Sequence, residues 1–113
     1  MENVFLGRLL TNMQEPVDIS KMHIQTNRED LEAFERASIE SGDRAQITDA
    51  ANMRHIFTDL EARVTEVEEV MEELRKYQDS PNGTAPESPL VRGAMQSYRA
   101  LQMALQRAER NPR

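Results

Sequence analysis

Met53, Phe57, Leu60, Val64, Val67, Met71 and Leu74 follow one another at alternating steps of four and three residues, with no polar residue interrupting the series. That spacing lines one face of an α-helix. A second series, Val91, Ala94, Tyr98, Leu101, Leu105 and Ala108, steps the same way beyond one intervening loop. Two such helices joined by a short loop return antiparallel. The sequence therefore predicts an all-α fold built around an antiparallel helical hairpin with coiled-coil-like seams.

The chain is divided by its turn and cap signals. Asp43 predicts the start of the long helix, with Gln46 placed to return a capping bond, and the helix is expected over residues 43–78. Pro81, Asn82-Gly83 and Pro86 exclude a helix from the next stretch. Ser88-Pro89 reads as N-cap and first helical residue of a last helix over 89–110. Before the hairpin, Thr26 and Glu29 have capping-box spacing and open a short helix through Leu31, Phe34 and Ala37 that stops at Ser41-Gly42, about residues 29–41. Residues 1–28 hold the amphipathic stretch Val4, Phe5, Leu9, Leu10 and Met13, then Pro16 and a polar run. They predict at most two helical turns in a partly disordered arm ahead of a hairpin domain over 29–113.

Size and charge narrow the function classes. The 113 residues include three Phe, two Tyr, no Trp and no Cys, which leaves no material for a large enzyme core, a disulfide frame or a thiolate zinc site. A net charge of −6 argues against nucleic acid, which is bound by neutralising phosphates. Residues 47–76 carry eight acids against four bases, whereas residues 88–113 carry five arginines against Glu109 alone, so the two arms attract each other. No apolar run is long enough to span a membrane, and Met1-Glu2-Asn3 does not open a secretory signal. The expectation is a protein of the cytoplasm, or one exported without a cleaved signal peptide.

The width of the apolar stripe points to partners. With Phe57, Val64 and Met71 at a and Leu60, Val67 and Leu74 at d, the g positions are Ile56, Arg63, Val70 and Tyr77. A two-stranded coiled coil places charges at g, so this stripe needs at least two neighbours. The last helix supplies one. The Leu31 and Phe34 helix, a second copy or another protein supplies the other. The face assigned to partner binding comprises Phe57, Leu60, Val64, Val67, Met71, Leu74, Tyr98, Leu101 and Leu105.

Chemistry finds little footing. His55 and Asp59, four residues apart, fall at water-facing f and c positions, and no further ligand is in spacing, so no metal or cofactor is expected. Glu66, Glu68, Glu69, Glu72 and Glu73 lack the glycine turn and alternating oxygen donors of a calcium loop and read as a solvated helix face. No phosphate loop, nucleophile elbow or His-Glu metal motif is present in the sequence, which favours a non-enzyme.

Asp18-Ile19-Ser20-Lys21-Met22 and Glu32-Ala33-Phe34-Glu35-Arg36-Ala37, ahead of a hairpin whose loop ends at Pro89, resemble the front portion of inner-rod proteins of bacterial type III secretion machines. The end of the chain, Glu109-Arg110-Asn111-Pro112-Arg113, differs from the mixed apolar and polar closing segment of those subunits. The resemblance implies an exported structural subunit linking the export gate to the needle. The residues by themselves imply a broader class: a non-catalytic helical adaptor, chaperone or assembly subunit that docks on partner helices or on itself. The alternative is a small acidic inhibitor or antiactivator masking a basic surface through the Glu66 to Glu73 face.

Overall fold

The structure, a computed structural model, describes residues 4–78 and 88–110. They form three helices: α1 over Val4–Ser41, α2 over Arg44–Arg75 and α3 over Pro89–Arg110. The fold is all-α, as the repeats predict. Asp43 caps α2 by accepting the Ala45 N–H at 2.9 Å, and Ser88 caps α3 by accepting the Val91 N–H at 3.2 Å. Gly42, with φ of 69°, makes the turn between α1 and α2 in a backbone region that only glycine enters without strain. Residues 76–78, expected at the end of the long helix, form a turn instead. The loop signals Pro81, Asn82-Gly83 and Pro86 lie outside the described residues.

The front of the chain departs from expectation. In place of at most two turns, then a break and a short helix at 29–41, α1 is one helix of 38 residues that passes through both Pro16 and the Thr26–Glu29 pair. Interior proline removes a backbone hydrogen bond and costs about 3 kcal/mol. The offset is burial: Leu6, Leu10, Met13, Val17, Ile24 and Leu31 all enter the core, and Pro16 is buried with them. Six large apolar side chains at roughly 1.5–3 kcal/mol each outweigh one lost bond.

α1 and α2 run antiparallel, as their side-chain pairs show in order along the seam: Gln14 with Arg75, Lys21 with Glu68 at 2.6 Å, and Glu35 with Arg54. α3 runs back along the other side of α2, where Arg107 reaches Asp59 at 3.7 Å. The molecule is a rod of 61 × 22 × 19 Å. Both outer helices pack along α2 but scarcely touch each other. The wide stripe on α2 is thereby satisfied: α1 and α3 cover its a and d residues, while Ile56 and Val70, at g, are half-buried against the same core.

Candidate functional site

The nine residues assigned to a docking face are placed together, but inside the bundle. Leu60, Val67, Leu74 and Leu101 are fully buried, Phe57, Val64, Met71 and Leu105 nearly so, and Tyr98 is half-buried. They form the common seam of α1, α2 and α3. α1 covers the part of the α2 stripe that α3 leaves open, so most of the nine face neighbouring helices of the same chain, while Tyr98 and Leu105 also line a groove between α1 and α3.

The acidic face of α2 is broken up by cations. Glu66 pairs with Arg63 at 3.1 Å, Glu68 with Lys21 of α1, and Glu73 with Lys76 at 2.9 Å. The hydrogen bond to Glu66, joined by attraction to Glu66 and Asp59, holds Arg63 above its ordinary range. The bond to Glu73 does the same for Lys76. Glu69 and Glu72 are left exposed between these pairs, a small residue of the continuous acidic surface that mimicry would use. His55 is exposed, and the Asp59 carboxylate is taken up by Arg63 at 3.3 Å and by Arg107. His23 instead stacks on Phe57, ring centroids 5.6 Å apart, where a flat half-buried ring fills the α1–α2 seam.

Two inter-helix grooves are open among the described residues: one of about 470 Å³ between α1 and α2, lined by charged and polar side chains with Ile24 and Val64, and one between α1 and α3. Glu15, Pro16 and Ile19 line the second from α1, and Tyr98, Gln102, Leu105, Gln106 and Glu109 from α3, around a volume of about 290 Å³. It exists because two helices leaning on a third from either side need not meet each other, and here they do so only slightly. Pro16, Ile19, Tyr98 and Leu105 contribute apolar surface to it, and Glu15, Gln102, Gln106 and Glu109 make the lining more polar than apolar. Ile19 stands 36% exposed on its edge, and Phe5 and Met95, 40% and 43% exposed, continue apolar surface along the same two helices. No nucleophile, base and oxyanion donors converge in it. The sequence signal for this groove was present in α3, where Gln102, Gln106 and Glu109 step by four and three beside the main seam. It is legible only once α1 is known to be a long helix.

The described residues define the class by fold alone: a small three-helix bundle whose successive helices run antiparallel. Comparison with family models, with curated proteins and with solved structures found no match. No helix among the described residues is long and apolar enough to cross a membrane.

Proposed function

We propose that the protein is a non-catalytic helical assembly or adaptor subunit that engages a partner helix, and that the α1–α3 groove, rather than the α2 stripe, is where it does so. The observation that supports this reading is the groove itself: Pro16, Ile19, Tyr98 and Leu105 set among Glu15, Gln102, Gln106 and Glu109 between two helices that scarcely touch, a concave surface along which a further helix with a mixed apolar and polar face can pack. An inner-rod-like role in type III secretion is one specific form of this proposal. It draws its support from the two front segments at 18–22 and 32–37, both of which lie on α1.

The test compares tagged full-length chain with its Ile19→Glu variant, both purified from host cells. Ile19 lies on the edge of the groove, so the variant should keep its helical signal and lose the bound protein. Identical partners with both forms would refute the groove assignment. The rod form requires in addition that the protein be recovered outside the cell and that its deletion abolish needle assembly. Protein held inside, with needles intact on deletion, would exclude that form and leave the adaptor.

A further inference from the structure

We infer that the α1–α3 groove receives a basic amphipathic helix, one whose lysines or arginines meet Glu15 and Glu109 while its apolar stripe lies on Ile19, Tyr98 and Leu105. This rests on the groove being a helix-binding surface, and it names the chemistry of the partner. Glu15 of α1 and Glu109 of α3 both line the groove and are both exposed, and none of the residues lining it is basic. Neither carboxylate has an ion pair among the described residues, whereas Asp59, Glu66, Glu68 and Glu73 of α2 are each matched with a cation. The groove is therefore a concave surface with uncompensated negative charge contributed by both of its helices.

Glu109 stands where a carboxylate is least at ease. It lies in the last turn of α3, at the negative end of the helix dipole, and a cation beside it offsets both charges. The chain's own cations are turned elsewhere: Arg107 reaches Asp59 of α2 at 3.7 Å, and Arg110, the next residue in sequence, does not share the face of Glu109. A cation supplied from outside answers this position. The α3 side of the groove, from Tyr98 to Glu109, is about 16 Å long at 1.5 Å per residue, which is three helical turns. Gln102 and Gln106 lie between its apolar and acidic members, and their amides both donate and accept, so they accommodate the polar positions of a helix laid along them.

Charge also selects among occupants. A helix rich in acids meets repulsion from Glu15 and Glu109 at close range and from a net charge of −6 at longer range, and a second copy of this chain carries that same net charge. A basic helix is attracted by both. Glu15, Gln102, Gln106 and Glu109 are exposed, so docking needs no opening of the bundle. A contact of three turns is smaller than a stable interface, so the affinity is on the order of 10 μM or weaker and exchange is fast.

Fluorescence anisotropy of two labelled 18-residue peptides against the full chain, up to about 300 μM, tests this. One is an amphipathic helix of Leu, Lys and Ala with leucines stepping by three and four; the other has Glu in place of every Lys. The native chain should bind the lysine peptide at least about ten-fold more tightly than the glutamate peptide. Glu15→Lys combined with Glu109→Lys should weaken the lysine peptide about ten-fold or more, and Ile19→Gln should weaken it several-fold. Glu69→Lys combined with Glu72→Lys, on the outer face of α2, changes net charge by the same amount and should stay within about two-fold, which separates contact in the groove from attraction to the whole acidic rod. A loss with the α2 pair equal to that with the groove pair, or no effect of the groove pair, overturns the proposal. Equal or tighter binding of the glutamate peptide, weakened by Ile19→Gln, overturns the basic partner and leaves the groove a helix-binding surface. Binding of neither peptide overturns the proposal, and if the Ile19→Glu variant also keeps every host partner of the native chain, the helix-binding reading falls with it.

Discussion

Met13 and Met22 lie on the same helix, nine residues apart, and share one chemistry, yet Met13 is fully buried and Met22 is 62% exposed. Replacing each by Ala therefore isolates the packing of α1 from its helix propensity, since both substitutions introduce the best helix former. Met13→Ala removes a thioether and its terminal methyl from a core shared with Leu10 and Val17 and leaves a cavity behind. Large-to-small changes of this kind cost about 2–5 kcal/mol, and a flexible side chain whose neighbours can settle falls near the lower limit, about 2–3 kcal/mol. Met22→Ala deletes surface in contact with water and should lie within about 0.5 kcal/mol of neutral.

For a domain near 100 residues, each kcal/mol moves the melting temperature by roughly 4 °C. Circular dichroism at 222 nm with thermal and urea unfolding should then show Met13→Ala melting about 10 °C below the native chain, and Met22→Ala within about 2 °C of it. The urea slope should be unchanged if both variants keep the native fold. Equal shifts for the two, or a shift confined to Met22→Ala, would mean that the front of the chain is not a packed helix and that the arm expected from the sequence is the better description.

Three further outcomes follow from the same core. Val67→Asp puts a charge at a fully buried seam position and should cost about 2–5 kcal/mol, whereas Glu69→Lys, exposed two residues later, should stay within about 0.5 kcal/mol, both read by chemical denaturation. Ser20 is buried with no hydrogen-bond partner for its hydroxyl, so Ser20→Ala should raise stability by about 1 kcal/mol, and a loss of that size would show that the hydroxyl is satisfied in solution. Removing residues 1–42 strips Leu6, Leu10, Met13, Val17, Ile24 and Leu31 from the core, roughly 9–18 kcal/mol of burial against a typical total of 5–15; the remaining chain should lose most of its helical signal or aggregate, and a well-folded soluble hairpin would refute this.

The hairpin of α2 and α3 was legible because every seam position in both is apolar, and because Asp43, Ser88 and Pro89 mark the starts. α1 has the same seam in a harder script. Its inward positions run Leu6, Leu10, Met13, Val17, Ser20, Ile24, Asn27, Leu31, Phe34 and Ser38, and the three polar members break the pattern where a reader looks for apolar continuity. Ser20 and Ser38 are nonetheless buried, and Asn27 donates to the His23 carbonyl of its own helix at 2.8 Å. Pro16 and the Thr26–Glu29 spacing then supplied local reasons to break the helix. Tertiary burial overrides both, which propensity and capping rules cannot register from one segment alone. The width of the α2 stripe did announce a second neighbour; only the length of the helix that supplies it was hidden.

That shift moves the case for a partner from one surface to another, and it changes which experiments are informative. If Phe57, Leu60 and Val64 were a docking face, a partner would have to displace α1, and the burial lost with the six large residues of that helix is comparable to the stability of the whole fold. A partner helix returns at most a similar area and must also meet the cost of association, so displacement has no net driving force. Substitutions at those positions would abolish binding of any kind by unfolding the bundle, and would say nothing about contact. The α1–α3 groove has the opposite property. Gln102, Gln106 and Glu109 are exposed and Ile19 lies on the edge, so changes there alter what the surface can hold while leaving the seam intact. A loss of association on substituting Gln106 with Arg, at unchanged melting temperature, would locate the contact in this groove; retained association would place it on one of the other exposed apolar residues, such as Ile39 and Ile47 at the far end of the rod.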